Sequence, residues 1–274
     1  MVTPQSSVFA DRTIFVLGNR RSGTTWLVEL LLAHPDVGGA SARERTDIDD
    51  VIPSEPLIFG AAAKLWNNNF RPNRDGIATF MEPEAFVAAL RAFSDRLFEA
   101  GNRRYSPGAP WYLEKSPDNV ERLPILAATY PDAWNVHIVR DGRDVVRSML
   151  RAPFDEVTNA AYAASEWVRT IRGVRREAWR LPRFRELRYE ELVRDPVGQT
   201  VALFEWMGLD VTDEVVERVR AATDRPVARM GSTGPASSRW RDMDPHDLAV
   251  TYEIAGELLA ELGYLDGSEP AFQR

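Results

Sequence analysis

The segment Thr13–Leu32, TIFVLGNRRSGTTWLVELLL, constrains this chain more than any other stretch. A short apolar run, β-branched at Ile14, breaks at Gly18; Trp26, Leu27, Leu30 and Leu31 then recur at helical spacing. The pattern predicts a buried strand, a glycine-bounded loop and a helix. Gly18 and Gly23 bracket Asn19, Arg20, Arg21 and Ser22 with the spacing of a Walker loop. In such a loop the backbone N–H groups point inward and the next helix presents the positive end of its dipole, so an anion belongs there. A nucleotide triphosphatase carries Lys after the second glycine, where it reaches the β- and γ-phosphates, but this chain has Thr24 and then Thr25. The cation has moved to Arg21. A ligand with a 5′-phosphate group and no γ-phosphate is favoured over an ordinary ATPase or kinase substrate. The plainer alternative is a glycine turn with surface arginines. Agreement among the loop, the threonine pair and both flanking elements weighs against it.

A second motif repeats the grammar. Trp134 to Val139, WNVHIV, reads as another apolar strand and runs into Arg140-Asp141-Gly142-Arg143-Asp144 before Val145, Val146 and Met149 open a helical pattern. In an open parallel sheet the carboxyl ends of the strands form the ligand crevice, so Arg140 and the helix-borne Ser148 can face one nucleotide from the side opposite the first loop. Arginine suits a dianionic phosphate because its planar fork makes paired, charge-assisted hydrogen bonds. A surface cluster of salt bridges among Arg140, Asp141, Arg143 and Asp144 is the competing reading.

Together the two motifs resemble the sulfotransferases that use 3′-phosphoadenosine 5′-phosphosulfate (PAPS). RRSGTTWL from Arg20 is similar to that family's 5′-phosphosulfate loop, which implies cofactor contacts from Arg20, Arg21, Ser22, Gly23, Thr24, Thr25 and Trp26. VRDGRDVVRSM, Val139 to Met149, resembles its 3′-phosphate motif and assigns that role to Arg140 and Ser148. LEKSPDN at Leu113 to Asn119 is similar to the family's segment near the acceptor and sulfonate, with Lys115 the matching residue. LRYEELVRDP, Leu187 to Pro196, and SSRW, Ser237 to Trp240, resemble two later family segments and add Tyr189, Ser238 and Arg239 to the cofactor set. The likeness spans Ile14 to about Tyr264. It leans toward the tyrosylprotein sulfotransferase type, which also has Arg in the first loop and an HPDV segment, here His34 to Val37. That type carries a glutamate base in a Gly-Glu-Glu stretch soon afterwards. This chain departs from it with GGASARERTD: the aligned place is Ala42, and Glu44 serves as base only if two residues are inserted. Cytosolic aryl sulfotransferases use a histidine, but His34, His137 and His246 all read as core, cap or helix-start residues.

At 274 residues and 44% hydrophobic, the chain can bury a substantial core, and its size suits a single sulfotransferase domain over residues 1–274, with 1–12 a flexible N-terminus. It has no cysteine, which excludes disulfides and thiolate metal or redox sites and fits a reducing compartment. MVTPQSSVFADR lacks a signal-peptide pattern, and no run reaches the ~20 apolar residues of a membrane span. These features suggest a soluble, bacterial-style member working in the cytoplasm, where PAPS is made. A net charge of −7 argues against nucleic-acid binding over a broad basic face. The arginine-rich run from Arg169 to Arg188, interleaved with Trp167, Ile171, Val174 and Trp179, reads as an amphipathic surface helix.

The expected fold is α/β, a parallel sheet flanked by helices. Strands are expected at Thr13 to Leu17, Trp111 to Glu114, Asn135 to Val139 and Phe184 to Arg188, with a short one near Val37. Helices are expected at Thr24 to Ala33, Pro83 to Ala100, Val120 to Thr129, Gly142 to Arg151, Ala160 to Arg180, Pro196 to Met207, Asp213 to Ala222 and Pro245 to Leu262. Two long connections, Asp47 to Phe80 and Ala222 to Asp244, are candidate acceptor surfaces, and Trp240 can anchor the second. The aromatics Trp66, Phe70, Phe80 and Trp111 hint at an apolar acceptor.

The implied activity is in-line transfer of a sulfonate from PAPS to a hydroxyl or amine of a small-molecule, carbohydrate or peptide acceptor, leaving adenosine 3′,5′-bisphosphate. Arg21 and Lys115 are the catalytic candidates with Glu44 as base, and no metal is expected, because a sulfonate carries less charge than a γ-phosphate. A P-loop small-molecule kinase and a catalytically silent nucleotide-binding protein are the alternatives.

Overall fold

Every residue of β1 (Thr13–Leu17) is buried in the structure, a computed structural model that describes residues 9–40, 55–67, 76–152, 157, 159–223 and 237–265. Burial on both faces of a strand requires cover on both faces of its sheet. The chain continues through α1 (Thr24–Leu31), β2 (Val37–Gly38), α2 (Ile58–Asn67), α3 (Pro83–Tyr105), β3 (Trp111–Glu114), α4 (Leu123–Thr129), β4 (Trp134–Val139) and α5 (Gly142–Leu150). It closes with α6 (Ala160–Glu177), β5 (Arg183–Arg188), α7 (Tyr189–Arg194), α8 (Pro196–Met207), α9 (Asp213–Thr223) and α10 (Pro245–Glu261).

The strands form one parallel sheet in the order β2-β3-β1-β4-β5. Thr13 lies beside Tyr112 of β3, and Ile14 beside Trp134 of β4, so the carboxyl ends of the three central strands emerge together. From β1 the chain builds one half of the sheet and then returns to build the other. That reversal makes the end of β1 a topological switch point, where open parallel sheets bind ligands.

Period-two alternation divides the core. Ile14 and Val16 join Leu27, Leu30, Val136, Ile138 and Phe204 on the α1/α8 face. Phe15 and Leu17 join Phe59, Phe98, Leu123 and Tyr130 on the other, where the Phe15 ring meets Phe59 and Tyr130 edge-on at 5.5 and 5.6 Å. A third cluster, with Val145, Val146, Met149, Trp167, Ile171 and Leu258, packs α5, α6 and α10 together. Gly142 permits this docking, because a Cβ there would stand 2.8 Å from the Trp167 ring.

All five strands form where the sequence places them, and the differences lie in the helices. Asp47 to Phe80 is not one long connection: its described part contains α2 and a 3-10 turn at Ile77–Thr79. Ile58, Phe59 and Ala62 supply a buried face that the surrounding prolines and asparagines obscure in the sequence. The expected helix from Val120 divides into a 3-10 turn at Pro117–Glu121 and α4, which starts afresh with a proline in its first turn. α3 continues past Gly101 to Tyr105, because this glycine serves close packing, with its Cβ position 3.1 Å from the Tyr112 ring. Among the described residues no helix is long and apolar enough to cross a membrane.

Candidate active site

Three polar segments emerge from the carboxyl ends of β1, β3 and β4. The first, Gly18 to Gly23, bends back through two left-handed residues, Arg21 at φ 68° and Gly23 at φ 94°. Only glycine suits position 23, since a Cβ there would also lie 2.5 Å from the Tyr189 ring. No side chain caps α1, so the N–H groups of its first turn remain available to an anion. The Ser22 hydroxyl is buried without a hydrogen-bond partner. A buried orphan hydroxyl, an uncapped helix start and two arginines fit a phosphate or sulfonate group.

The segment after β4 is joined directly to this loop. Arg140 Nη1 donates to the Arg21 carbonyl at 3.1 Å, and Arg21 Nε donates to Ser148 Oγ at 3.0 Å. The Arg140 guanidinium lies 4.3 Å over the Tyr189 ring and 3.4 Å from the Asp144 carboxylate. Tyr189 thus reaches the site as a platform for Arg140 and a wall for Gly23. The Arg140–Asp144 cluster is buried rather than a surface salt-bridge array. Asp141 caps α5 by accepting from the Arg143 N–H at 2.9 Å, and it also binds the Arg143 guanidinium at 2.7 Å. Burial pushes the Asp141 carboxyl up, against the opposing pull of Arg143.

Trp240 anchors the late segment as expected. Its backbone N–H donates to the Asp144 carboxylate at 2.7 Å, and Arg143 stacks 3.9 Å over its ring. Arg147 holds the neighbouring Asp242 at 2.5 and 2.7 Å. Ser238 lines a second cavity of about 630 Å³ with Asp141, Arg143, Glu190 and Tyr264, rather than the cleft of the first loop, and Arg239 is half-buried.

The third segment, after β3, carries Lys115. Its ammonium is buried and pairs with the Glu55 carboxylate. Lys115 and Glu55 share a cleft of about 560 Å³ with Arg20, Arg21, Gly23, Thr24 and Thr25. Arg20 is held at its edge by Glu166 through bonds of 2.8 and 2.6 Å. Behind Lys115, Glu114 is buried and accepts from Ser116 Oγ at 2.5 Å and from the Asn119 amide. Burial pushes this carboxyl up to about 7, against the pull of Ser116, Asn119 and the Lys115 charge.

The folded protein therefore takes up the Glu114 proton more readily than the unfolded chain does. That stabilisation is complete below the ordinary value of 4.5 and is lost as pH rises through about 7. Urea unfolding of the wild type and Glu114→Gln across this range is expected to give a stability difference that declines with pH in the window and is level on either side. A difference level throughout would mean that Glu114 does not titrate there.

The structure brings Arg20, Arg21, Gly23, Thr24, Thr25 and Lys115 around one cleft and ties Arg140, Ser148 and Tyr189 to its loop. Glu44 lies outside the described residues. The Trp26 indole packs against Tyr189 at 6.0 Å, among the core residues behind the loop. The aromatic set disperses as well. Trp111 starts β3 and neighbours Trp134 at 6.4 Å, at the end of the strands opposite the site, while Trp66 packs on Phe86, Phe80 is exposed, and Phe70 lies outside the described residues. The histidines keep the plain roles their sequence contexts suggest. His34 packs on Phe204, His137 is buried beside Glu186, and the His246 N–H binds the cap Asp244. Sequence reasoning missed Glu55 and Glu114. No motif marks Glu55, and Glu114 is signalled only by a charge at the inner end of an apolar strand.

A model of the sulfotransferase family matches residues 13–213. Protein-tyrosine sulfotransferase 1 of Danio rerio is 26% identical over 277 residues, covering 94% of this chain and 73% of the relative. The omega-hydroxy-beta-dihydromenaquinone-9 sulfotransferase Stf3 of Mycobacterium tuberculosis is 24% identical over 262 residues, covering 78% and 67%. Among solved structures, the sulfotransferase domain of the Synechococcus PCC 7002 olefin synthase superposes with a TM-score of 0.57 at 19% identity, over 93% of this chain and 97% of that one. These similarities give no support to a kinase. With a family model matched over residues 13–213 and a parallel sheet whose glycine-bounded loop lies at the switch point, the chain belongs to the sulfotransferase family.

Proposed function

We propose that the cleft binds PAPS and transfers its sulfonate in line to a hydroxyl, or an amine, of an acceptor, releasing adenosine 3′,5′-bisphosphate. One observation carries this reading: Arg140 Nη1 bonds the Arg21 carbonyl, and Arg21 Nε bonds Ser148 Oγ. Two anion motifs joined so closely suit one nucleotide with anionic groups at both its 5′ and 3′ positions. The first loop takes the 5′-phosphosulfate, and Arg140 with Ser148 takes the 3′-phosphate. During transfer, negative charge grows on the oxygen that bridges sulfur and phosphorus. Arg21, Lys115 and Thr24 line one cleft, and with the uncapped N–H groups of α1 they stabilise that charge in this reading. Two cations and fixed dipoles meet that demand without a divalent metal. The acceptors named for the two relatives, a protein tyrosine and an omega-hydroxy dihydromenaquinone, are both hydroxyls, which supports a hydroxyl here.

Calorimetric titration with adenosine 3′,5′-bisphosphate, beside adenosine 5′-phosphate and Mg-ATP, tests this function. Tight binding of the bisphosphate that is lost without its 3′-phosphate is the expected result. Preference for Mg-ATP would overturn the proposal, and bisphosphate binding with no turnover of PAPS would mark a silent binding protein.

A further inference from the structure

We propose that the cleft continues along α6 into a groove that holds the remote part of the acceptor, and that this acceptor is an alcohol whose hydroxyl ends an extended, uncharged, apolar chain. This assignment rests on the sulfotransferase reading and deepens it to a substrate class.

Tyr162, Glu166, Arg169, Gly173 and Arg176 follow one another at steps of four, three, four and three residues, so they lie along one face of α6. The first three line the cleft that holds Lys115 and the first loop. The last three line a groove of about 540 Å³, whose other wall is the 3-10 turn at Pro117–Glu121 and the start of α4. The two spaces share Val120, Glu121, Arg169 and Thr170, so they are continuous. At about 1.5 Å per residue, the face runs about 21 Å from Tyr162 to Arg176. The Thr170 hydroxyl accepts from the Asn19 amide at 3.1 Å, which fixes this face against the first loop.

Gly173 keeps the groove open. Glycine inside a helix destabilises it relative to alanine, and it persists where a neighbour packs too closely for a Cβ. Gly101 and Gly142 are of that kind, with rings 3.1 and 2.8 Å from their Cβ positions. At Gly173 no neighbouring group among the described residues lies within 4 Å of the Cβ position. Packing therefore does not account for the missing side chain, and what its absence leaves is space in the groove.

The lining selects the kind of chain. Buried Val120 and Leu123, with Pro124, give the groove an apolar wall. Its described charged side chains are two arginines and two glutamates, committed to one another: Arg169 to Glu121 at 3.1 Å and Arg176 to Glu177 at 3.0 Å. Such a groove has no net charge to offer an ionic acceptor, and the aliphatic stems of its arginines add apolar surface. Arg169 and Glu121 stand at the junction of the two spaces with side chains 61% and 45% exposed. An ion pair in that much water contributes little, so an arriving chain parts it easily.

The test uses the full chain with PAPS and reads kcat/KM for phenol and for the primary alcohols from butanol to dodecanol. In the wild type, each methylene that enters the groove is expected to raise kcat/KM by about 4-fold, the measure of one buried CH₂. Gly173→Leu is expected to lower kcat/KM for dodecanol by about 10-fold or more, the loss of about two such methylenes. Its phenol turnover and its calorimetric affinity for adenosine 3′,5′-bisphosphate are expected to stay unchanged, which also shows that the variant is folded. Pro124→Trp obstructs the groove from its other wall and is expected to act likewise. Gly173→Ala is expected to raise the folding equilibrium constant by about 2- to 5-fold in urea unfolding. A less stable alanine variant would overturn the proposal by giving the glycine a packing role. So would a wild-type profile that is flat from butanol to dodecanol, or a Gly173→Leu profile that matches the wild type. A neutral tyrosine peptide that loses turnover in Gly173→Leu when no alcohol does would overturn it too, because the groove would then hold a peptide. Failure of the wild type itself to bind the bisphosphate would instead refute the sulfotransferase reading beneath it.

Discussion

Arg21→Ala is expected to lower sulfonate transfer by about 100- to 1,000-fold while leaving the fold standing, the scale on which a preorganised donor to a developing anion acts. Arg21 lines the cleft beside Lys115 and Thr24, where the proposed transfer puts charge on the departing oxygen. The fold tolerates the change for two reasons. The left-handed backbone at φ 68° already carries a Cβ, so alanine adds no strain that arginine does not bear. The bond from Arg140 goes to the Arg21 carbonyl, which alanine retains. What disappears is the bond from Arg21 Nε to Ser148 Oγ at 3.0 Å. Its net contribution to stability is about 1 kcal/mol. Initial rates with saturating PAPS, read beside the urea midpoint, measure both effects. A near wild-type rate would remove Arg21 from catalysis.

Arg140→Ala is expected to reduce bisphosphate affinity by about 10- to 100-fold and to abolish discrimination between adenosine 3′,5′-bisphosphate and adenosine 5′-phosphate, since hydrogen bonds to a charged group contribute about 1.5–3 kcal/mol. This variant also weakens the fold. Asp144 has a fully buried side chain, and Arg140 is the cation that faces it at 3.4 Å. Removing one partner of a buried pair costs about 3 kcal/mol or more. The Trp240 N–H, 2.7 Å from the same carboxylate, keeps Asp144 partly satisfied. Arg140→Lys separates the two effects, because it restores the charge opposite Asp144 without the planar fork that grips a phosphate. Calorimetry on all three proteins, at a temperature where each is folded, reads the result. Undiminished selectivity in the alanine variant would take the 3′-phosphate away from Arg140.

Local chemistry explains why the two polar loops are legible in the sequence. Ile14 to Leu17 is apolar throughout because both faces of β1 are covered, and Gly23 is glycine because its backbone is left-handed against the Tyr189 ring. Constraints of that kind act within a few residues, so the strand, loop and helix after Thr13 and the polar cluster after Val139 stand out in order. Trp26 shows where such reading stops. A motif gives a residue a place in line, but the packing of the Trp26 indole on the Tyr189 ring, 163 positions later, is a tertiary contact that no local pattern announces. The helix Ile58–Asn67 was hidden because its apolar face is short, and its stability comes from Phe15 and Tyr130, which are remote in sequence.

By itself the sequence determined the alternation of strand and helix, the two polar strand-to-helix loops and the family they resemble, because each is written in contiguous residues under backbone and periodicity rules. Only the tertiary structure decided that Arg21, Ser148 and Arg140 bond one another, that Glu114 is buried with its carboxyl raised, and that Glu55 meets Lys115 across 60 positions of chain. The sheet order β2-β3-β1-β4-β5 is the physical reason: placing β3 and β4 on either side of β1 brings three distant strand ends to one cleft.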